Sequence, residues 1–234
     1  LDGAKSGVGF HEDGLVKTLI EHYPTNEYIF EYFSLRNHEK KKENIKRRLN
    51  IPTKKKLLLY APTFRDENVS KKTVQNMKMD VWRTLKTLEK STENEWVCLV
   101  RAHPIACGMS VEEYGDYAIN VSKHEDMAEL MVISDMLITD YSSCAGDFAL
   151  TGNPIVLFQP DINEYLEKDR EFYFNVDDSP YYIARNQDEL DKIILGFDEV
   201  SIKQNCQDVL DFYGTRESGK SAEIITQRIV DWLG

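Results

Sequence analysis

Three short apolar segments of this sequence are each followed by polar residues that could do chemistry. These clusters lie at 61–66 (Ala-Pro-Thr-Phe-Arg-Asp), 101–104 (Arg-Ala-His-Pro) and 139–143 (Thr-Asp-Tyr-Ser-Ser). Arg101 and His103 stand two positions apart in an extended segment, so both side chains project to the same side. An imidazole there can exchange a proton near neutral pH or, once protonated, stabilise a phosphate oxygen. A structural histidine in front of a proline is the alternative.

Hydroxyl and amide groups also gather where helices are predicted to begin. Ser142 and Ser143 suit a phosphate group, with simple N-capping as the alternative. Asp147 lies one turn later, where it could accept a hydrogen bond from a sugar hydroxyl or bridge within the fold. Residues 214–221 (Gly-Thr-Arg-Glu-Ser-Gly-Lys-Ser) form a glycine-bearing turn beside Lys220, which favours an anion. The turn is not a Walker A loop, because Thr215 stands where that loop requires glycine.

The elements that must position these clusters alternate along the chain between apolar strands and amphipathic helices. This pattern predicts an α/β fold with a Rossmann-like, doubly wound parallel sheet. The predicted strands are Leu57–Ala61, Trp96–Arg101, Tyr117–Val121, Met136–Thr139 and Pro154–Phe158. The predicted helices are Glu39–Leu49, Asp80–Lys90, Asp126–Ser134, Ser143–Thr151, Gln187–Leu195 and Ser221–Trp232. In such a sheet ligands bind beyond the carboxyl ends of the strands, where the three clusters lie.

Composition narrows the classes of function. The 234 residues carry a net charge of −11, which argues against a nucleic-acid partner. The basic cluster Lys40–Arg48 is interpreted first as a solvated helix face and second as a contact with an anionic membrane or polymer. Four scattered cysteines indicate neither a disulfide framework nor a metal site. With no apolar segment of spanning length and no secretory signal, we expect a cytoplasmic protein.

Taken together and in this order, the clusters resemble the CDP-glycerol:polyol-phosphate transferases, the family of teichoic-acid and capsule polymerases. The matching pieces also include residues 45–52, 133–135, 147–148, 154–155 and 218–222, with Asp161, Tyr165 and Arg170. That family is similar to GT-B glycosyltransferases, in which two Rossmann-like domains face each other. The resemblance implies that residues 51–234 form the C-terminal, CDP-polyol-binding domain. Residues 1–50 would then be a partial N-terminal segment with a linker helix.

The resemblance implies transfer of glycerol phosphate or ribitol phosphate from a CDP-activated donor to a terminal hydroxyl of a polymer, with release of CMP. It implies no metal and no cofactor besides the CDP-glycerol or CDP-ribitol substrate. The acceptor would be a polyol-phosphate or capsule polymer on a lipid carrier, reached by peripheral contact with the inner face of the cell membrane. The residues expected to bind the donor are Thr63, Arg65, Arg101, Pro104, Thr139, Asp140, Tyr141, Ser142, Ser143, Asp147, Gly219, Lys220 and Ser221.

The resemblance also implies two functional histidines, of which His103 is one. The nearest match to the second is His11 in residues 10–17, which lack the Trp, Gly, Thr and Pro of the family motif. One alternative is therefore a divergent or excised C-terminal half that binds donor but catalyses poorly alone. The others are a GT-B enzyme that uses a UDP- or GDP-sugar, and a non-catalytic nucleotide-binding module of a larger polymerase.

Overall fold

A computed structural model describes residues 39–63, 78–102, 111–168, 174–215 and 220–233. The chain divides into two compact units, one of residues 38–215 and one that combines residues 1–37 with 216–234. The first unit contains the sheet and the cavity described below. In the second unit the described element is α8, Ser221–Leu233. The domain division expected at residue 50 stays a prediction.

The elements of the first unit alternate between strands and helices. The described strands are β1 Lys56–Ala61, β2 Trp96–Val100, β3 Ala118–Asn120, β4 Met136–Thr139, β5 Ile155–Phe158 and β6 Tyr182–Ala184. The described α-helices are α1 Glu39–Arg48, α2 Val81–Thr92, α3 Met127–Ile133, α4 Cys144–Ala149, α5 Ile162–Lys168, α6 Gln187–Leu195 and α7 Glu199–Phe212. Two 3-10 helices, Glu112–Tyr117 and Val176–Asp178, precede β3 and β6.

The described strands form one six-stranded sheet in the order β3-β2-β1-β4-β5-β6, and every pair is parallel. This order is that of the Rossmann fold, and the strand order reverses between β1 and β4. The prediction of a doubly wound parallel α/β fold is confirmed. In an open sheet of this kind, a crevice forms at the carboxyl edge where the strand order reverses.

Side-chain alternation gives the sheet two buried faces. Leu58 and Tyr60 of β1 pack in a core cluster with residues of α2 and α6, whereas Leu57 and Leu59 are also fully buried but lie outside that cluster. Successive strand residues point to opposite faces, so the second pair faces the other layer of helices. Helix α3 packs on β1, and α4 packs on β4 and β5. Because helices cover both faces of the sheet, the strands are apolar along most of their length, as the sequence predicted.

Most element boundaries follow from local chemistry. Asp80 caps α2 by accepting a hydrogen bond from the backbone N of Arg83 (3.0 Å), and Asp126 caps α3 in the same way through Ala128 N (2.8 Å). Helix α4 begins at Cys144, one residue later than expected, because Ser143 occupies the N-cap position. Strand β6 and helices α5 and α7 were not predicted from the sequence.

Phe148 joins the helix layer to the strands that carry the crevice. It belongs to α4 and is fully buried. We expect Phe148→Ala to lower the free energy of unfolding by about 4 kcal/mol, because it removes a large buried ring and leaves a cavity. Urea denaturation measures this loss. Val200→Ala is the matched control on α7, where the side chain is 78% exposed, and it should change stability by less than about 0.5 kcal/mol. Equal midpoints for the two variants would contradict the packing role of Phe148.

Candidate functional site

A cavity of about 640 Å³ opens at the carboxyl edge of the sheet, within the unit of residues 38–215. Its walls come from the ends of β1, β2, β4 and β5 and from the chain before β6. The structure brings six of the sequence-predicted residues into this wall: Thr63, Arg101, Asp140, Tyr141, Ser142 and Ser143. They come from three separate strand ends, as the sequence predicted. A volume of this size suits a small-molecule ligand.

Asp140 ties the end of β4 to the end of β1. One of its carboxylate oxygens, Oδ1, accepts hydrogen bonds from the backbone N of Thr63 (2.8 Å), from Thr63 Oγ1 (2.6 Å) and from the backbone N of Tyr141 (2.6 Å). The residue is 5% exposed. Because this carboxylate accepts hydrogen bonds from both strand ends, its main effect is to fix the rim of the cavity.

Thr139 and Asp147 are placed differently from the other predicted residues. Thr139 is fully buried, and its hydroxyl donates to the backbone O of Ala61 (2.6 Å). Asp147 lies on an exposed turn of α4, where partial desolvation of the carboxyl raises its pKa. The structure does not bring either side chain into the cavity wall. Their roles in donor binding stay predictions, and the geometry of Thr139 is that of a second tie between β1 and β4.

Arg101 presents an incompletely satisfied cation to the cavity. Its Nη2 donates to the backbone O of His124 (3.1 Å) and of Glu125 (3.4 Å). Its Nε is buried and, within the part of the chain that the structure describes, has no hydrogen-bond partner. Burial lowers the pKa of this guanidinium from its usual value. Because Arg101 lines the cavity, an anion bound there would offset the cost of its partial burial.

The loop that supports Arg101 is itself anchored from two sides. His124 Nε2 lies 2.9 Å from Glu129 Oε2 on α3, and that same carboxylate oxygen accepts a hydrogen bond from Arg48 at the end of α1. The Glu129 side chain is only 8% exposed. Part of the basic cluster at residues 40–48 is therefore used inside the fold: Arg48 pairs with Glu129, and Arg47 pairs with Glu43 at 2.9 Å. The Glu129 carboxylate thereby joins α1 to the loop whose His124 carbonyl accepts a hydrogen bond from Arg101.

The two serines before α4 have separate roles. Ser142 Oγ accepts a hydrogen bond from the backbone N of Cys144 (3.3 Å), which is the capping function foreseen as the alternative. Ser143 is exposed at the N-cap position, and its side chain makes no capping hydrogen bond. Both residues line the cavity. The hydroxyl of Ser143 is therefore not committed to the cap and can face a ligand.

Several residues of the cavity wall were not predicted as site residues. Gln159 is fully buried; its Nε2 donates to the backbone O of Asp140 (2.8 Å), and its Oε1 accepts from Arg185. Phe174, Tyr181 and Tyr213, here called the aromatic wall, line the side of the cavity near β5 and β6. They are spread over 40 positions of sequence with no motif between them. Tertiary packing alone brings them together, so the sequence carried no local signal for them.

Tyr141 is held in place by a different pair of contacts. Its ring stacks on Tyr165 with centroids 3.7 Å apart and planes 14° apart, and its hydroxyl donates to Asp161 Oδ1 (3.0 Å). Tyr165 and Asp161 were noted in the sequence only as part of the resemblance. The structure identifies them as the support for the Tyr141 side of the cavity.

Five of the predicted residues fall in parts of the chain that the structure does not describe, and two fall in the other compact unit. His11, Arg65, His103, Pro104 and Gly219 lie outside the described residues. Lys220 precedes α8 and Ser221 begins it, in the other compact unit. Within the described ranges, no three His, Cys, Asp or Glu side chains gather as ligands for a metal ion. The same ranges contain no helix with the length and apolar content needed to cross a bilayer.

The profile of the family described as CDP-Glycerol:Poly(glycerophosphate) glycerophosphotransferase matches residues 19–231. The chain belongs to this family. It is 34% identical over 218 residues to the teichoic acid poly(glycerol phosphate) polymerase of Bacillus subtilis (strain 168), a match that covers 91% of this chain and 28% of that protein. The teichoic acid poly(ribitol-phosphate) polymerase of Bacillus spizizenii is 26% identical over 231 residues, covering 96% of this chain and 35% of that protein.

Solved structures of a wall teichoic acid polymerase share the fold. A variant of the wall teichoic acid polymerase TagF superposes with a TM-score of 0.69 at 30% identity, covering 89% of this chain and 50% of that one. Another TagF variant, soaked with CDPG, gives a TM-score of 0.62 at 30% identity over 86% of this chain and 48% of that one. The chain thus spans between about a quarter and a half of the length of these relatives.

The Asp140 tie leads to a stability prediction. Asp140→Ala removes the acceptor of three hydrogen bonds and should lower the free energy of unfolding by about 3 kcal/mol. Thr63→Val removes only the hydroxyl bond and should cost about 1 kcal/mol. Chemical denaturation of both variants measures the difference. If the two losses were equal, the two backbone amides would not depend on this carboxylate.

Proposed function

We propose that this chain is the nucleotide-binding half of a transferase that moves glycerol phosphate, or ribitol phosphate, from a CDP-activated donor to a terminal hydroxyl of a teichoic-acid polymer and releases CMP. The observation that carries the proposal is the cavity at the reversal of strand order, with Arg101 in its wall and no partner for its Nε among the described residues. Membership of the glycerophosphotransferase family supports the reaction class. The activated group is part of the donor substrate, so the proposal names no cofactor.

The proposed step is a displacement at the phosphorus that bears the polyol. The acceptor hydroxyl oxygen forms a new bond to this phosphorus, the bond from phosphorus to the CMP oxygen breaks, and the hydroxyl proton passes to a base. Negative charge then grows on the non-bridging oxygens and on the departing CMP. Arg101 is suited to stabilise that charge, because its guanidinium is already held in position and needs no reorganisation. His103 and His11 are the proposed proton-transfer groups.

Arg101 and Arg83 differ in the hydrogen-bond partners that the structure describes for them. Arg83 on α2 pairs with two carboxylates, Asp188 and Asp191, each at 2.5 Å. The acceptors of Arg101 are neutral carbonyl groups, which position a guanidinium without neutralising it. A partly buried cation whose described hydrogen bonds go to neutral carbonyl groups favours a nearby anion. This contrast supports a diphosphate as the ligand of the polar side of the cavity.

The acceptor would be carried on a lipid, and the chain would reach it by peripheral contact with the membrane surface. Helix α1 supports this part of the proposal, because its basic residues include the exposed side chains of Arg47 and Arg48. Basic helices are attracted to anionic lipid surfaces. The pairs that these two arginines make with Glu43 and Glu129 weaken that attraction, so membrane contact is the secondary part of the proposal.

The choice of donor is tested by calorimetry with a panel of ligands. CDP-glycerol, CDP-ribitol and CMP should bind the chain, whereas UDP-glucose and GDP-mannose should bind at least about tenfold more weakly. If the chain bound UDP-glucose or GDP-mannose more tightly than the CDP ligands, the proposed CDP-activated donor would be wrong. Binding of the CDP ligands without transfer to a polymer acceptor would indicate a binding module instead of a complete enzyme.

Arg101 should be required for donor affinity. Arg101→Gln removes the cation and should weaken CDP-glycerol about 10- to 100-fold, the range expected for a lost charged hydrogen bond. Arg83→Gln is the matched control, because that exposed arginine pairs with carboxylates away from the cavity. Its donor affinity should stay within about twofold of the unmodified chain. Equal weakening by both substitutions would show that net charge, and not the site, governs binding.

His103 should be required for transfer more than for binding. We expect His103→Ala to keep CMP affinity within about threefold while it lowers the rate of transfer about 100-fold or more, the range typical of a lost general base. Calorimetry and release of CMP measure the two effects on the same preparation. Parallel loss of affinity and rate would make this histidine a binding residue.

A further inference from the structure

Glu129 is not among the described residues that line the cavity, yet its contacts lead to the cavity wall. It belongs to the first turn of α3. Its carboxylate oxygen Oε2 lies 2.9 Å from His124 Nε2 and accepts a hydrogen bond from Arg48 at the end of α1. Neither the polar clusters of the sequence nor the family resemblance gave this residue a role. A role for Glu129 therefore has to follow from its contacts.

The loop of residues 121–126, here called the supporting loop, joins β3 to α3 and contacts the end of β2 at two points. Two of its carbonyl groups accept hydrogen bonds from Arg101 Nη2, at 3.1 Å and 3.4 Å. Its Ser122 Oγ accepts a hydrogen bond from the backbone N of Ala102 (2.9 Å). The supporting loop therefore holds both the guanidinium of Arg101 and the chain directly before His103.

Two contacts with α3 hold the supporting loop. Where the loop ends, Asp126 caps α3 by accepting hydrogen bonds from the backbone N of Ala128 (2.8 Å) and of Glu129 (3.3 Å). Nearer its middle, the ring of His124 contacts the Glu129 carboxylate. This second contact is made by the residue whose carbonyl Arg101 uses. A change at Glu129 thus reaches the guanidinium through a single residue.

Stability alone does not explain a carboxylate at this position of α3. The Glu129 side chain is 8% exposed, and the next four residues, 130–133, are buried and apolar. A buried ion pair rarely adds stability over apolar residues of similar size, because desolvation offsets much of the attraction between the charges. The carboxylate is costly to bury without its partners, so it favours one arrangement of the groups that it joins. This property fits a residue that sets the position of the supporting loop.

We infer that Glu129 is a positioning residue of the proposed transferase: through His124 it holds the supporting loop, and through this loop it orients Arg101 for the ligand. Arg48 bonds to the same oxygen of Glu129, so α1 takes part in holding the loop. This inference rests on the proposed function. Because Glu129 acts on the loop and not on the ligand, its effect on donor affinity has to pass through Arg101.

A double-mutant cycle between Glu129 and Arg101 tests this path. Glu129→Met keeps a side chain of similar size, and the Arg48 side chain that it leaves behind is 58% exposed and can be hydrated. In calorimetry the variant should weaken CDP-glycerol about 3- to 30-fold, the range for residues that act through a network of contacts. In the Arg101→Gln background the same substitution should change affinity by less than about twofold, because the guanidinium that it positions is gone.

His124→Ala removes the same contact from the side of the loop and leaves the pair of Glu129 with Arg48 in place. It should give both results again, and it replaces Glu129→Met in the cycle if that variant does not fold. Glu43→Gln is the matched control, because it breaks a pair between a carboxylate and an arginine, Arg47, that lies within α1. Its affinity for CDP-glycerol should stay within about twofold of that of the unmodified chain.

Three results overturn the positioning role and leave the proposed function intact. Losses that add in the double variant would mean that Glu129 acts on the fold in general and not through Arg101. Unchanged donor affinity in both Glu129→Met and His124→Ala would mean that the contact does not matter for binding. Equal weakening by Glu43→Gln would mean that any charge pair of α1 has the same effect. If the unmodified chain binds neither CDP-glycerol nor CMP, the proposed function fails and this inference fails with it.

Discussion

The candidate site depends on the junction of β1 and β4. These strands pair in parallel with Ala61 opposite Thr139, and at this point the order of the sheet reverses. Three hydrogen bonds to one oxygen of Asp140 and the bond from Thr139 to Ala61 hold them together. The crevice therefore opens above a closed junction and has a fixed rim.

At this junction, the residues that hold the strand ends together differ from the residues that can face a ligand. The side chains of Thr139 and Asp140 were expected to meet a ligand, yet their described bonds go to the protein itself. Among the described residues of the cavity wall, Ser143 makes no capping hydrogen bond with its side chain and Arg101 Nε has no hydrogen-bond partner, so both can face a ligand. A hydrogen-bond donor of the protein that is held in position before the ligand arrives loses little conformational entropy on binding.

Periodicity and capping predicted the fold to within a few residues wherever an element was apolar or sharply bounded. Strand Met136–Thr139 and helix Gln187–Leu195 have the predicted bounds, since the first is a buried apolar run and the second begins after the cap of Asn186. Strand β6 was missed because it has only three residues at the edge of the sheet. Helix α7 was missed because only Asn205, Cys206 and Val209 of its 14 residues are buried, which leaves little apolar pattern.

The site was predictable to the extent that its residues follow strands. Polar clusters after β1, β2 and β4 had to meet at one edge, because parallel strands all end there. The aromatic wall had no such constraint: Tyr213 ends a helix, and Phe174 lies in a segment between α5 and β6. The sequence alone does not distinguish an aromatic residue that packs in a core from one that lines a cavity. Only the fold distinguishes the two, since it places Tyr213 against Gly146 and leaves nearly half of its surface exposed.

The described cavity lies entirely within residues 38–215, whereas His11 and Lys220 belong to the other compact unit. The groups proposed to hold the nucleotide are thus encoded in two parts of the chain, since Lys220 and Ser221 are expected to bind the donor as well. The proposed transfer requires in addition an acceptor and proton-transfer groups at the same phosphorus. Affinity for the nucleotide and rate of transfer are therefore measured separately for each substitution, because a residue that acts on both, such as Arg101, changes them together and a proton-transfer residue changes mainly the rate.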